Sequence, residues 1–506
     1  MRNYAAITIG PIIETISSVS TPGALWCASG MFSDLASSLC RKILGQIPEA
    51  KIISPAYDEK LDCKDGIGRW HDRIFFHCPL GDDELYEKLK SISEEAKNEL
   101  ADNICKAIGS NNADAVADYI RNYIQINWIT APQDTAEADG KNCILNLSKY
   151  LDSAELSANF SHNETSSPLT RLFNGEDGAK NSFIKKCWLV PEGKKIQILD
   201  SFGKIRDISS IANPNDKKDG KKIRSYFAVV QSDGDGMGKC LESCSSADDV
   251  KAFSQVCIKY TQEASELIGA YGGLTVYAGG DDLLFLAPLE GLNGENILTL
   301  CKNITQTFNE SFSDFSSKSG CTAPTLSFGL TVNFTSSPLY EAVKEVIPLL
   351  MHDAKSGEKN KIAIAFHKHS GQSSKFVAPN RWEDNTPLGE LEKLIGKSLA
   401  ATSNADETIR SVLYALDTFS SAYELCRSKN IDTQNFFDNT FDNDGQAGNR
   451  AYINSVKKFG DIIASDGSCL ATDGNAKIAG SMTDKETNIL NAMLRFAKLY
   501  SERGDG

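Results

Sequence analysis

The sequence predicts an α+β chain in three parts. Two ferredoxin-like units of βαββαβ order span residues 1–215 and 216–375, and a helical part spans 376–506. Three observations carry this reading. Between residues 224 and 368, short apolar runs of strand character alternate with helix-period stretches in the order β-α-β-β-α-β, with one further α-β. A similar β-α-β-β-α order runs through the first 127 residues, and after Arg381 the pattern is mainly helical. At roughly 150 residues per domain, 506 residues also agree with about three domains.

In the first unit, YAAITI (4–9) reads as a strand. Residues 22–46 read as a helix with Leu25, Trp26, Met31, Phe32, Leu35 and Leu39 on one face. Strands are expected at 50–56 and 73–79, and helices at 82–109 and 112–127. Residues 133–180 are weaker, with a Ser/Asn/Thr-rich loop near 161–170, and FIKKCWLV and KKIQIL within 183–212 read as short strands. The stretch Asn213 to Lys222 (NPNDKKDGKK) has no apolar residue and reads as the linker. In the second unit, RSYFAVVQ is a strand that should stop at the glycine-broken turn SDGDGMGK. A helix at 248–270, strand GLTVYA, tight turn GGDD and strand LLFLAP follow. A helix at 293–314, a strand at 325–334, a helix at 337–355 and a strand at 361–367 complete it. C-terminal helices are expected at 387–399, 405–427, 449–465 and 485–502, with a loop at 429–448. FDNDG in that loop fails the calcium-loop template: Thr440 stands where the first Asp ligand belongs, and no Glu closes it.

Composition narrows the function classes. With 41% hydrophobic and 24% charged residues the chain is globular rather than disordered. No apolar run reaches the ~18 residues of a membrane helix. The N-terminus reads as a strand rather than a signal peptide, so the expected compartment is the cytoplasm. A net charge of −14 argues against a surface that coats nucleic acid by counterion release, and suits a site that gathers divalent cations. The cysteines are scattered without a Cys-x-x-Cys, so zinc is not expected and buried reduced thiols are. Only six histidines are available for histidine-rich metal chemistry.

Two acidic turns carry the chemistry. Asp233-Gly234-Asp235-Gly236 ends the first strand of the second unit, and Gly279-Gly280-Asp281-Asp282 joins the second and third strands. In a ferredoxin-like sheet the first and third strands are central neighbours, so Asp233 should face Asp281 and Asp282. Such carboxylates repel one another unless a cation offsets them, and Mg²⁺ or Mn²⁺ takes oxygen ligands while holding substrate phosphates. The glycines let the backbone turn tightly and approach a triphosphate. Lys355, at the end of the 337–355 helix, either complements the helix dipole or reaches a phosphate. A hairpin tip rich in Asp and Gly is often structural, but a second, remote acidic turn is not needed for folding.

SDGDGMGK, YGGLTVYAGGDDLLFLAPL, TLSFGLTV, the Ala354-Lys355 pair and IAIAFHKHSG, in this order and spacing, resemble the second palm domain of the large polymerase/cyclase subunit of type III-B CRISPR–Cas effector complexes. The start of the chain (ITIGPIIETISS…GALWCASGMFSDLASSL) resembles that family's first palm, which lacks the acidic motif. The resemblance implies a function in antiviral defence. Target-RNA binding to the assembled complex switches on ATP polymerisation into cyclic oligoadenylates. Asp233, Asp281 and Asp282 would hold two ions, and in-line nucleotidyl transfer would follow, with no protein nucleophile. Gly234, Asp235, Gly236, Gly279, Gly280 and Lys355 would line the nucleotide site, and Ser29 of the first palm would help hold a second ATP. Implied partners are the other subunits, including a small helical one, with guide RNA and target RNA held through the complex.

Two departures from the family pattern stand out. Many relatives begin with an HD nuclease domain; here the first palm starts within ten residues of Met1, and His71-Asp72 lacks the companions a nuclease centre requires, so no such activity is expected. The four-Cys zinc finger of many relatives is also expected to be missing, because Cys143 and Cys187 are isolated. Other functions fit the same turns: AMP conjugation to S-adenosylmethionine, a catalytically silent scaffold, or a free-standing GGDEF-like cyclase, whose family usually has Glu where this chain has Asp282.

Overall fold

The computed structural model describes residues 2–59, 67–156, 167–174, 197–200, 204–214, 226–369, 371–400, 404–429, 431–441, 450–472, 482–483 and 485–501. The first unit is a four-stranded antiparallel sheet in the order β2-β3-β1-β4, built from β1 (Asn3–Gly10), β2 (Lys51–Ser54), β3 (Arg73–Cys78) and β4 (Gln125–Pro132). Helix α1 (Pro22–Gln46) starts where Thr21 Oγ1 accepts from the Ala24 amide and Pro22 supplies a pre-set φ. Helices α2 (Asp82–Ala107) and α3 (Ala113–Tyr123) pack together beside it, and α4 (Cys143–Leu156) lies against β1 and β4. The expected helix to residue 127 is corrected: α3 ends at Tyr123 and β4 begins two residues later. Pairing of Gln125 through Pro132 with all of β1 overrides a local pattern that reads either way.

The second sheet has eight strands in the order β12-β11-β10-β9-β8-β5-β7-β6. These are β5 (Tyr226–Asp235), β6 (Leu274–Gly279), β7 (Asp282–Pro288), β8 (Thr325–Phe334), β9 (Lys361–His367), β10 (Ser373–Pro379), β11 (Leu470–Thr472) and β12 (Met482–Thr483). Only β8 and β9 run parallel among these neighbours. The expectation that the first strand stops before SDGD is corrected. Ser232 to Asp235 stay paired with Phe328 to Thr325, and the strand ends at Gly236, whose φ of 84° suits glycine. β10 crosses the expected 375/376 boundary, and β11 and β12 extend the sheet with C-terminal residues.

Side chains of β5 alternate between two cores. Ala228 and Val230 join one with Leu283 and Phe285 of β7 and with helices α6 (Ala247–Tyr271) and α7 (Ile297–Ser319). Phe227 and Val229 join the other, with Leu284 and Leu286 and the first unit's Trp26, Phe32 and Trp70. Each fully buried large apolar side chain contributes about 1.5–3 kcal/mol, so both faces of the sheet are strongly held. A capping box of Ser246 and Asp249 starts α6, and Asn296 caps α7; both helices end at glycines of positive φ, Gly272 and Gly320.

The expected helix 337–355 is two segments. α8 (Leu339–Pro348) passes into a π-turn, Leu349–Ala354. Pro348 lacks an amide and crowds the preceding turn, which disrupts the regular ladder there. Gly329 of β8 lies beneath: a Cβ there would stand 2.6 Å from the Val346 carbonyl. In the C-terminal part, α9 (Pro387–Ala400), α10 (Asn404–Thr418), α11 (Ser420–Ser428), α12 (Gln434–Phe441), α13 (Arg450–Asp466) and α14 (Glu486–Ser501) are present. The expected 405–427 helix therefore breaks at Phe419, and α12 occupies part of the expected 429–448 loop. Residues 183–190, most of the 213–222 linker, and residues 430 and 442–448 of that loop lie outside the described residues. No helix among those described is long and apolar enough to cross a membrane.

The two units meet along β6, an edge strand. Gly68 forms a parallel bridge with Tyr277, and the Ala278 amide donates to the Gly68 carbonyl at 2.8 Å. Arg206 donates to the carbonyls of Gly272 at 2.7 Å and Gly273 at 3.1 Å, and Gln197 accepts from the Thr275 amide at 2.7 Å. These contacts cover an edge that would otherwise invite pairing. A Cβ on Gly68 would overlap Ser29 Oγ of α1. Gly68→Ala should therefore lower stability by about 1–3 kcal/mol, and Ser29→Ala in the same chain should restore most of the loss. Denaturant melts of the two single variants and the double variant check this; additive losses would show that the contact does not set the junction.

Candidate metal centre

Antiparallel pairing of β5 with β7 places Ser232 opposite Leu283, so the next residues out, Asp233 and Asp282, meet at the end of the strands. The hairpin between β6 and β7 is closed by the pair Gly279 and Asp282, leaving Gly280 and Asp281 as a two-residue turn. Gly280 has φ 66°, the left-handed value such a turn demands at its first position. Asp233, Asp281 and Asp282 each present an oxygen within 4.8 Å of the others, and none of the three is fully buried. Among the described residues they are the group of three or more His, Cys, Asp and Glu side chains placed to share an ion. An all-carboxylate donor set suits a hard cation such as Mg²⁺ or Mn²⁺.

The electrostatics express the crowding. Desolvation, then the neighbouring charge of Asp233, raises the Asp281 carboxyl to about 7. Desolvation, then Asp281 and Asp233, pushes Asp282 well above the usual carboxylate range. Lys355 caps the π-turn and reaches into this field. Its ammonium pairs with Asp233, donates to the Gly234 carbonyl at 3.2 Å and lies 3.6 Å from Asp235. Gly234 is held to glycine by space, since a Cβ would stand 2.7 Å from both Asp281 Oδ2 and Met237 Cγ. Gly279 is equally confined, with the Tyr277 hydroxyl at 2.6 Å and the Arg69 carbonyl at 2.8 Å from a Cβ position.

Two expected site residues sit differently. Asp235 spends one carboxylate oxygen on β8 and the following turn, accepting from Ser327 Oγ at 2.6 Å, Thr325 Oγ1 at 3.3 Å and the Asn360 amide at 2.9 Å. It anchors the strand end and shares Lys355 with Asp233. Ser29 is 3% exposed in α1, against Gly68 at the junction of the units, and the structure does not bring it among the carboxylates. Its hydroxyl has no hydrogen-bond partner among the described residues. Gly236 starts helix α5 (Met237–Glu242). His71 lies near Ser54, its Nε2 at 3.3 Å from Ser54 Oγ, and burial pulls it down to about 4, so it is neutral at pH 7.

Sequence reasoning missed the surroundings. Tyr260 of α6, fully buried, and Tyr277 of β6, partly buried, lie in the field of Asp281 and Asp282, which adds to desolvation in raising both phenols. Asp72 of the first unit adds its charge to those that raise Asp282. No spacing in the sequence links residues 72, 260, 277 and 282; only the packing of the two units does.

The raised acid gives a signed pH dependence. Between about pH 4 and pH 7 the folded chain keeps a proton on Asp281 that the unfolded chain has lost, so stability falls as pH rises through this window. We expect melting temperature to drop across that range without divalent ions and to recover above pH 7 when Mn²⁺ is added. Asp281→Asn should flatten the pH dependence and abolish the Mn²⁺ effect. Thermal melts of both proteins from pH 4 to 8, with and without Mn²⁺, make the test; an unchanged Mn²⁺ response in the variant would place the ion elsewhere.

Residues 226–363 match the family model described as Cas10/Cmr2, second palm domain. The chain is 26% identical over 206 residues to the CRISPR system Cmr subunit Cmr2 of Pyrococcus furiosus, a match covering 36% of this chain and 22% of that protein. Among solved structures, a Csm1–Csm4 cassette in complex with cA3 is similar with a TM-score of 0.53 at 13% identity, over 99% of this chain and 69% of that one. The Csm1–Csm4 cassette in complex with one ATP gives 0.51 at 12%, over 99% and 70%. At these identities the likeness is one of fold. The family match starts at the first residue of β5 and ends within β9, so it contains both acidic turns and Lys355; residues 226–363 are thus a domain similar to the second palm of Cas10/Cmr2.

Proposed function

We propose that this chain is the large subunit of a type III-B CRISPR RNA-guided effector complex, and that its second palm joins ATP into a cyclic oligoadenylate when target RNA binds. The observation that carries the chemistry is the meeting of Asp233, Asp281 and Asp282 at one point, with Lys355 beside them. The sequence match to a Cmr2 supports the III-B assignment. The fold is shared with Csm1–Csm4 cassettes in complex with ATP, cA3 and cA4.

Asp233, Asp281 and Asp282 would hold two Mg²⁺ or Mn²⁺ ions, which supply charge neutralisation on phosphates and a more acidic ribose 3′-hydroxyl. This chain's own residues do the rest. Gly280 and Gly234 keep side chains out of the space above the turns, so that backbone and carboxylates can approach a triphosphate. Lys355 neutralises Asp233 in the ion-free state. With the carboxylates held by ions, its ammonium would be available to a phosphate oxygen, as a point charge rather than a bidentate clamp. Asp235, locked by Ser327 and the Asn360 amide, fixes the end of β5 so that Asp233 does not drift. The ~7 value of Asp281 means that ion binding displaces a proton near neutral pH, and nucleotide transfer should weaken on acidification.

Two predictions follow from this reading. Asp281→Ala with Asp282→Ala should leave the complex assembled yet reduce product by at least the ~10–100-fold that lesser disturbances of a metal site cause. Mass spectrometry of products from the assembled complex, given ATP, target RNA and, in a parallel arm, S-adenosylmethionine, reads both the loss and the acceptor. Wild-type product from the double variant would refute the site. Second, the isolated chain, with its net charge of −14, should bind RNA weakly and turn over little ATP; synthesis should need guide RNA, companion subunits and matched target. Target-independent synthesis by the lone chain at the complex's rate would point instead to a free-standing cyclase.

A further inference from the structure

Helix α5 leaves the metal turn directly, and its fourth residue is Cys240. The Cys240 sulfur is fully enclosed and lies 3.2 Å from the sulfur of Cys321, and both thiols are free. Cys321 stands in the coil between Gly320, which ends α7 with φ 72°, and the first residue of β8. Unlike Cys240 it is partly open to solvent. The two residues are 81 apart in sequence, and each borders an element that carries the site. α5 continues from Asp233 to Gly236, and β8 supplies the Thr325 and Ser327 hydroxyls that hold Asp235.

We propose that Cys240 and Cys321 are a reactive and resolving cysteine pair that a peroxide-class oxidant converts, reversibly, into a disulfide clamping α5 to the entry of β8. The proposal does not depend on the nucleotide chemistry above, and its test reads no nucleotide product. The roles follow from the surroundings. Against the upward push of its partial burial, hydrogen bonds with Ser319, Cys240, Ser316 and Ser243 pull Cys321 below the ordinary thiol range, so the accessible sulfur is the better nucleophile. Burial, and then Cys321 beside it, push Cys240 up to about 12, which keeps it a thiol until its partner is oxidised.

The chemistry balances in two steps. The Cys321 thiolate attacks one peroxide oxygen; an S–O bond forms, the O–O bond breaks and hydroxide leaves, giving a sulfenic acid. The Cys240 sulfur then attacks that sulfur; the S–S bond forms, the S–O bond breaks, and the departing hydroxide takes the Cys240 proton as water. Two thiols are oxidised by two electrons and one peroxide is reduced to two waters. A bond of about 2.05 Å requires the sulfurs to close by little more than an ångström from contact. The coil between Gly320 and Thr325 can supply that movement without disturbing either helix.

The experiment uses the full chain, treated with hydrogen peroxide, alkylated under denaturing conditions, digested and analysed by mass spectrometry. Wild type should lose two alkylatable thiols and two mass units, and yield a linked pair of the Cys240 and Cys321 peptides that dithiothreitol separates. Cys321→Ser should leave Cys240 alkylatable after the same treatment. Cys240→Ser should leave Cys321 as a sulfenic acid trapped by dimedone. Cys244 is the nearby competitor, its Sγ donating to the Cys240 carbonyl at 3.4 Å. A Cys244–Cys321 link, Cys321 running on to sulfinic acid beside an intact Cys240 thiol, or both cysteines still alkylatable after peroxide would each overturn the proposal.

Discussion

Mutual repulsion among Asp233, Asp281 and Asp282 is the constraint on which the rest of the second unit turns. Three carboxylates share one point, and partial burial limits the water that would screen them. The fold holds them there with an eight-stranded sheet whose interior strand β5 is buried on both faces. Phe227 and Val229 lie in one core and Ala228 and Val230 in the other, so β5 cannot slip in register without turning all of them to the wrong side. The stability of two cores opposes a local electrostatic cost. Lys355 relieves part of that cost, and a divalent cation would relieve more.

Lys355 owes its place to an irregularity. A regular helix from 339 to 355 would carry its end elsewhere; the π-turn after Pro348 redirects the last residues over β8, where Gly329 gives the backbone room. Asp235 performs the matching task from below. It is an acidic residue in a motif of acidic residues, yet one of its oxygens accepts from Ser327, Thr325 and the Asn360 amide. The SDGD stretch thus divides labour between two carboxylates: Asp233 faces Asp281, Asp282 and Lys355, and Asp235 ties the strand end down.

Much of this was legible in the sequence because it is local or periodic. The strand at 325–334, the helix at 22–46 and the GGDD hairpin follow from alternation, helical spacing and a two-residue glycine turn. The meeting of Asp233 with Asp282 followed from a topological rule about which strands neighbour one another. What stayed hidden depends on distant partners. β4 needed β1 to decide it, and β10 to β12 needed the edge at β9. The break at Pro348 was visible as a proline, but the direction of the chain after it was not. The different tasks of Asp233 and Asp235 could not be separated by spacing, since the same pattern of Asp and Gly serves either.

The first unit shapes the centre although its own sheet carries none of the three carboxylates. Its Gly68 segment lies along β6, and the Arg69 carbonyl fills the space that a side chain on Gly279 would need. Tyr277, partly buried at this junction, feels Asp282, Asp72 and Asp281 together. Asp72 in turn contributes to the rise of Asp282. The unit that lacks the acidic turns therefore covers the strand that presents them and adds a negative charge to their field. Both effects disfavour the ionised form of the carboxylate cluster. A second palm separated from this cover would expose β6 and return water to the turn. Its carboxylates would then ionise more readily, so the electrostatics of the cluster are a property of the pair of units rather than of the strand-turn motif that marks it in the sequence.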